Sequence, residues 1–141
     1  MMHNVDLESM LPHRKPMLMI SAVLESSDEQ LIALSRIDAN NPLLQDGCFP
    51  GYGCLELLAQ ASGLFLGLKM QGEAEPGAIV SVRDMHIKKC SLALDKDLYI
   101  ETNFLGGSGS AAMFQGVVRQ SDEIVMQASL TVSSFSQGDK R

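Results

Sequence analysis

Apolar and polar residues alternate near the end of the chain, in residues 124–135. Met126, Ala128, Leu130 and Val132 occupy every second position, and polar residues stand between them. An alternation with a period of two is typical of a strand that has one buried face, so we predict a strand over 124–135. Shorter apolar or alternating runs bounded by turn-forming residues predict five more strands, at 17–24, 30–37, 78–88, 98–104 and 111–119.

Residues 52–70 have a different pattern and predict one long helix. They are rich in Leu, Ala, Met, Gln and Glu and contain no β-branched residue. The segment is apolar on nearly every side, which indicates a buried helix rather than one that lies on a surface. Glu56 and Gln60 are polar exceptions that stand one turn apart. Gly72 and Pro76 are expected to end the helix.

Two strands, one helix and four strands follow one another along the chain. This order predicts an α+β fold in which an antiparallel sheet of about five or six strands wraps around one central helix, at about 52–70. Residues 38–51 are expected to form an irregular connection and residues 106–109 a turn. We predict a single domain over 1–135 and a flexible tail over 136–141. Because sheet edges favour pairing, a homodimer or higher oligomer is expected.

The composition excludes some classes of function. The chain has 141 residues, 45% of them hydrophobic and 20% charged, and its formal net charge is −6. A nucleic-acid-binding protein needs a basic surface, so this acidic balance argues against one. No apolar run is long enough to span a membrane and no signal peptide is recognisable, so we expect a cytoplasmic protein whose three cysteines are free thiols. The three histidines lie far apart, and no metal site is predicted.

Two segments resemble the β-hydroxyacyl-[acyl carrier protein] dehydratases of fatty-acid synthesis. Residues 11–20 read Leu-Pro-His-Arg-Lys-Pro-Met-Leu-Met-Ile, similar to that family's opening Leu-Pro-His-Arg-x-Pro and a hydrophobic residue. Residues 49–61 contain Pro-Gly, Glu56 and Ala-Gln-Ala at the spacing of the family's helix start. Residues 84–90 are a weaker match to a stretch where the family often has an aromatic residue and two basic ones. The resemblance covers most of the chain and implies a hot-dog fold.

The chain departs from that family in the loop before the helix. The family carries a catalytic His nine residues before the helix glycine, where this chain has Pro42, and residues 41–51 contain no His. A shortened loop of this kind is similar to the dehydratase-like hot-dog proteins of aryl-polyene biosynthesis clusters. The resemblance implies an acyl chain carried as a thioester, on the phosphopantetheine of an acyl carrier protein or on CoA, and no other cofactor.

Three residues near the helix start are candidates for the chemistry of dehydration, which needs a base for the C2 proton, an acid for the leaving hydroxyl and a donor for the thioester oxygen. Glu56 can serve as the acid or the base; its structural alternative is a carboxylate that caps the helix or stays in water. Gly51 is a candidate oxyanion donor through its N–H, although a plain turn glycine would look the same. Gln60 is expected to hold the Glu56 carboxylate through an i, i+4 hydrogen bond, or to find partners elsewhere.

The second acid or base has no clear candidate in this chain. Cys48 and Asp46 lie in the loop before the helix, but a loop cysteine is more often inert and Asp46-Gly47 is an ordinary turn pair. His13 belongs to the N-terminal motif, where its expected role is to order a turn.

Three basic residues are candidate contacts for an acidic carrier protein or a phosphopantetheine phosphate: Arg83, Lys88 and Lys89. The alternative is that they form a solvated strand end.

Three functions are compatible with these residues. The first is a 3-hydroxyacyl-[acyl carrier protein] dehydratase in which Glu56 works with a His from a different hot-dog subunit, so that the active assembly is a heterodimer. The second is an acyl thioesterase that uses Glu56 as nucleophile or as the base for water. The third is a non-catalytic subunit of a hetero-oligomeric dehydratase. The match at residues 49–61 favours the first.

Overall fold

The computed structural model describes residues 7, 19–69, 77–108 and 110–134. In it the chain forms a six-stranded sheet and a long helix. A 3₁₀ turn, Gly51–Gly53, directly precedes the helix. In chain order the elements are β1 (Ala22–Ser26), β2 (Gln30–Ser35), β3 (Phe49–Pro50), α1 (Cys54–Lys69), β4 (Gly77–Ile87), β5 (Ser91–Leu92), β6 (Leu98–Ser108), β7 (Ala111–Gln120) and β8 (Glu123–Ser134).

The six main strands lie in the spatial order β1-β2-β6-β7-β8-β4, and every neighbouring pair is antiparallel. β3 and β5 form a separate short ladder. Ser121 and Asp122 join β7 to β8 with φ values of 54° and 65°. Two successive residues with positive φ are characteristic of a type I′ turn, whose twist matches that of the strands it connects.

The helix α1 is buried against one face of the sheet, where it contacts β2, β4, β6, β7 and β8. Leu57, Leu58 and Leu64 are fully buried on it, and Phe114 is fully buried on β7. Gly116 in β7 allows Leu58 to pack closely, because a Cβ at that position would collide with the Leu58 side chain. The predicted α+β hot-dog arrangement, six strands around one central helix, is confirmed.

Several element boundaries differ from the predictions. The first described strand is Ala22–Ser26 and extends beyond the end predicted at residue 24, because Ser26 pairs with Leu31 and the turn begins only at Ser27. Residues 17 and 18 of the predicted strand lie outside the described residues. The predicted helix start at residue 52 falls inside the 3₁₀ turn, and α1 begins at Cys54. The strands β3 and β5 were not predicted, because a strand of two residues carries no periodicity.

The prediction of a turn at residues 106–109 is wrong for residues 106–108, which belong to a strand. β6 continues to Ser108, with a β-bulge between Phe104 and Gly106. Gly106 has a φ of 130°, which only glycine adopts readily, and Gly107 lies so close to β7 that a Cβ would be 2.7 Å from the carbonyl oxygen of Ala111. The glycines therefore bend a continuous strand instead of ending it. The tail predicted at residues 136–141 lies outside the described part of the chain.

Candidate functional site

The backbone at the start of the helix is closely packed against neighbouring segments of the chain. A Cβ on Gly51 would collide with the carbonyl oxygen of Lys89 and would lie 2.7 Å from Cγ2 of Ile87. A Cβ on Gly53 would lie 2.6 Å from the ring of Phe49. Both glycines are buried, so the backbone of this turn is held in place by the segment after β4 and by β3.

Glu56 lies in the first turn of α1 and is half-buried. Its Oε2 accepts a hydrogen bond from Nε2 of Gln60, at 3.1 Å. The Oε1 of Gln60 in turn accepts the backbone N–H of Met19, at 2.9 Å. A backbone N–H can only donate and a carboxylate accepts, so the two partners fix which way the amide points. The predicted i, i+4 hydrogen bond between Gln60 and Glu56 is therefore present.

Gln60 is itself held from several directions. Its side chain is fully buried, and the Met19 backbone that it binds is also the acceptor for the hydroxyl of Ser35, at 2.5 Å. A chain of hydrogen bonds thus runs from Ser35 in β2 through Met19 and Gln60 to Glu56. This support favours one orientation of the carboxylate, which is what a catalytic group requires.

The expectation that the N–H of Gly51 is free to bind an oxyanion is wrong in this structure. That N–H donates to the carbonyl oxygen of Cys90, at 2.9 Å. The bond continues the pairing of β3 with β5 by one residue, since Pro50 is opposite Ser91. The sequence did not reveal this, because the acceptor, Cys90, is far from Gly51 along the chain.

The loop before the helix contains a tight turn. Gln45 and Cys48 exchange two backbone hydrogen bonds, and Asp46 and Gly47 between them have φ values of 53° and 78°. These are the features of a type I′ turn, for which Asp-Gly is a favoured pair. Asp46 is exposed and Cys48 is half-buried. Their catalytic roles stay untested predictions, whereas the turn role of Asp46 is evident.

Tyr52 lies at the start of the helix and was not among the predicted site residues. Its hydroxyl oxygen accepts a hydrogen bond from Nε2 of Gln45, at 2.5 Å, and its side chain is 51% exposed. It lies in the 3₁₀ turn Gly51–Gly53 before α1, four positions ahead of Glu56.

The basic residues differ in their surroundings. Nζ of Lys89 lies 3.0 Å from Oε1 of Glu123, and this lysine lowers the pKa of the Glu123 carboxyl through a hydrogen bond and through its charge. Lys88 is exposed. Arg83 is also exposed and lines a shallow hollow of about 160 Å³ together with Asp84, Leu105 and Met113. None of the residues that line this hollow belongs to the Glu56 group.

Three further predictions concern other parts of the chain. His13 lies outside the described residues. Within the described ranges, no group of three or more His, Cys, Asp and Glu side chains is arranged to hold a metal ion. The described helices include none that is long and apolar enough to cross a membrane.

Comparison with known proteins identifies the family. Residues 5–140 match the family model described as ApeP-like, ApeP dehydratase. The chain belongs to the ApeP-like dehydratase family. This membership confirms the resemblance to the dehydratase-like hot-dog proteins of aryl-polyene clusters, and it makes the chain dehydratase-like in function.

Other dehydratases and hot-dog structures are similar to this ApeP-like chain. The 3-hydroxyacyl-[acyl-carrier-protein] dehydratase FabZ of Vibrio cholerae is 33% identical over 138 residues, which are 92% of this chain and 89% of that protein. The dehydratase heterocomplex ApeI:P from Xenorhabdus doucetiae has a TM-score of 0.87 at 20% identity, covering 97% of this chain and 95% of that one. A hypothetical thioesterase with coenzyme A from Streptococcus pneumoniae has a TM-score of 0.61 at 17% identity, covering 82% and 88%. At these identities the two structures show the shared fold alone.

Proposed function

We propose that this ApeP-like chain dehydrates 3-hydroxyacyl thioesters and that Glu56 is the base that removes the C2 proton. The observation that carries the proposal is the support of Glu56 by Gln60, whose own amide is buried and bound to the backbone of Met19. Among the curated relatives similar to this chain are dehydratases of 3-hydroxyacyl groups on acyl carrier protein. In the reaction the C2–H and C3–O bonds break, a C2=C3 double bond forms, and water leaves.

We propose that the active assembly contains a second hot-dog subunit, identical or paralogous, that pairs along β4. This strand of 11 residues lies at one end of the strand order, so one of its edges is open in the described sheet. An open edge of this length favours pairing with another strand. Arg83, Met85 and His86 are exposed on it. The similar ApeI:P dehydratase is a heterocomplex, which supports testing a paralogous partner first.

The proposed substrate carrier is the phosphopantetheine of an acyl carrier protein, with CoA as a smaller alternative. Lys88 and Arg83 supply exposed positive charge in a chain whose net charge is −6, and a negatively charged carrier or phosphate would be drawn to them. Lys89 is less available, because it forms an ion pair with Glu123. The cytoplasmic location expected from the sequence stays a prediction.

The experiment uses the purified chain alone and together with a paralogous hot-dog subunit. A 3-hydroxyacyl thioester is supplied on acyl carrier protein and on CoA, and both the enoyl product and free thiol are measured. We expect enoyl product with the wild-type chain and a loss of about 10²–10⁴-fold in Glu56→Gln, the usual contribution of a general base. The control is Glu25→Gln, which alters an exposed carboxyl in β1.

Each alternative function gives a different result in the same assay. Release of free thiol without enoyl product, abolished by Glu56→Gln, would identify a thioesterase. Full activity of the complex with Glu56→Gln would identify a non-catalytic subunit. No product in any assembly of folded protein would refute the dehydratase proposal.

A further inference from the structure

Ser35 is a polar residue on the buried face of β2. Along this strand Leu31, Ala33 and Ser35 occupy every second position, and all three are fully buried. Leu31 and Ala33 belong to the apolar core that also contains the buried leucines of α1. Side chains two positions apart point to the same face of a strand, so the Ser35 hydroxyl faces this core and needs a hydrogen-bond partner there. Its partner is the backbone carbonyl oxygen of Met19, at 2.5 Å.

Three hydrogen bonds join the three residues before β1 to the end of β2 and the residue that follows it. The Ser35 hydroxyl donates to the Met19 carbonyl. The N–H of Ser21 donates to the carbonyl oxygen of Leu34, at 2.7 Å, and the hydroxyl oxygen of Ser21 accepts the N–H of Arg36, at 3.0 Å. Two of these bonds use a serine hydroxyl, and together they hold a segment that the ladder between β1 and β2 does not include.

The backbone of Met19 connects Ser35 to Gln60. Its carbonyl accepts the hydrogen bond from Ser35, and its N–H donates to Oε1 of Gln60, at 2.9 Å. These two backbone groups belong to the planar peptide units on either side of one Cα, and only two soft dihedral angles separate them. Anchoring the carbonyl therefore restricts the direction in which the N–H can point.

The Met19 N–H in turn favours one orientation of the Gln60 amide. Because this N–H donates to Oε1, the amide presents its Nε2 to the Glu56 carboxylate, at 3.1 Å. A rotation of the amide by half a turn would place Oε1 against the carboxylate, and two acceptors cannot form a hydrogen bond. Displacing the Met19 N–H therefore weakens the preference for the orientation that holds Glu56.

We propose that Ser35 is a positioning residue for the transfer of the C2 proton, acting on Glu56 through the Met19 backbone and the Gln60 amide; this inference rests on the proposed dehydratase function. Ser35 exchanges no proton with the substrate. Its hydroxyl anchors Met19, and the base keeps its orientation as a result. Without the hydroxyl, Glu56 remains present but spends less time in the orientation that removes the proton, so kcat falls while binding of the thioester is retained.

A purely structural role for Ser35 makes a different prediction. If its hydroxyl only satisfies the Met19 carbonyl in the core, its removal lowers stability and leaves the kcat of the folded protein unchanged. If it positions Glu56, its removal lowers the kcat of the folded protein, and it does so only while Gln60 holds the carboxylate. In a protein that already lacks the Gln60 amide, removing the Ser35 hydroxyl should not lower kcat further.

The test measures kcat and KM for Ser35→Ala, Gln60→Met and the double variant, in the assembly that is active with wild-type protein. Urea unfolding of each variant sets conditions under which it is folded. We expect Ser35→Ala to lower kcat by about tenfold with KM little changed. The double variant should match the kcat of Gln60→Met within about twofold, because the two changes act on the same contact. If Ser35→Ala does not fold, Ser35→Cys, which keeps a weak donor, replaces it and should lower kcat by a smaller factor.

The matched control is Ser62→Ala, at a second fully buried serine, whose hydroxyl bonds to that of Thr102. It should lower stability by a comparable amount and leave kcat unchanged. Wild-type kcat in folded Ser35→Ala, a further loss of kcat in the double variant, or an equal loss in Ser62→Ala would overturn the positioning role and leave the dehydratase proposal intact. If wild-type protein makes no enoyl product, or if Glu56→Gln is fully active, the proposed function fails and this inference falls with it.

Discussion

Gln60 holds the carboxylate of Glu56 from one helical turn away, with its Nε2 3.1 Å from Oε2 of Glu56. The same side chain accepts the backbone N–H of Met19 at 2.9 Å. One buried amide therefore has two tasks: it orients a candidate catalytic group, and it satisfies a backbone donor that enters the core. The two tasks can be separated by measuring activity and stability in the same variants.

We predict that Gln60→Met, which keeps the volume but removes both polar atoms, lowers stability and activity together. The Met19 N–H loses its acceptor, and a buried unsatisfied donor costs about 1–3 kcal/mol in the free energy of unfolding. Glu56 loses its orienting donor, and we expect dehydration to fall by about tenfold to 10²-fold. Urea unfolding and steady-state kinetics measure the two effects.

The control is Gln120→Met, at a second buried glutamine, whose Nε2 donates to the carbonyl oxygens of Ala93 and Lys96. It should lower stability by a similar amount and leave kcat unchanged, because its hydrogen bonds hold the backbone at Ala93 and Lys96 and not the Glu56 carboxylate. An equal loss of kcat in both variants would show that Gln60 acts on activity through stability alone.

The sequence was sufficient for those parts of the site that depend on local spacing. Glu56 and Gln60 lie on one helix, so the spacing of four positions predicts their hydrogen bond directly. The central helix and the alternating strands were predicted for the same reason, since burial imposes a period on neighbouring residues. The type I′ turn at Asp46-Gly47 also follows from two adjacent residues.

The predictions that failed concern contacts between residues that are far apart in sequence. The N–H of Gly51 is occupied because the chain returns at Cys90 to pair with it, and no local pattern indicates that return. The Met19 N–H, which donates to Oε1 of Gln60, is equally remote in sequence. The hydrogen bond from Gln45 to the Tyr52 hydroxyl was not predicted either, because it depends on the tight turn that positions Gln45.

Alanine substitutions at two glycines, Gly51 and Gly47, test how closely the helix start is packed. In Gly51→Ala the new Cβ meets the backbone oxygen of Lys89, which cannot rotate away, so we expect a loss of about 3 kcal/mol or more in stability. In Gly47→Ala no atom lies within 4 Å of the new Cβ, and the cost comes only from the φ of 78°. That cost should be about 1–2 kcal/mol.

Thermal and urea unfolding of the two variants provide the measurement. If Gly51→Ala were as stable as Gly47→Ala, the helix start would have room to move away from Lys89. The close packing at Gly51 would then not fix the position of Tyr52.

The hydroxyls of Ser62 and Thr102 form a polar pair inside the apolar core, 2.9 Å apart and both fully buried. We predict that Ser62→Ala or Thr102→Val alone costs about 1–3 kcal/mol, because each leaves the other hydroxyl without this partner. The double variant should cost less than the sum of the single ones, by about 1 kcal/mol, as expected for residues in contact. A double-mutant cycle by urea unfolding measures this coupling, and additive effects would contradict it.

The thiol of Cys54, at the first position of α1, should make stability depend on pH in alkaline solution. Burial raises the pKa of Cys54 from 9.0 to about 12, because the core does not solvate a thiolate. Above pH 9.0 the unfolded chain loses the thiol proton while the folded chain retains it, so the unfolded state binds fewer protons and stability falls as pH rises. The contribution is fully present below pH 9.0 and is lost between pH 9.0 and about 12, at up to about 1.4 kcal/mol per pH unit.

Urea unfolding over this alkaline range, under reducing conditions, measures the contribution of the Cys54 thiol as the difference between two cysteine variants. Other groups also titrate there, so the quantity to compare is the slope of unfolding free energy against pH in matched variants. Cys54→Ala should flatten the slope relative to Cys90→Ala, which is the matched control at an exposed cysteine. Identical slopes in the two variants would mean that the Cys54 thiolate reaches water in the folded protein, and that the start of α1 opens more readily than its close packing at Gly51 and Gly53 implies.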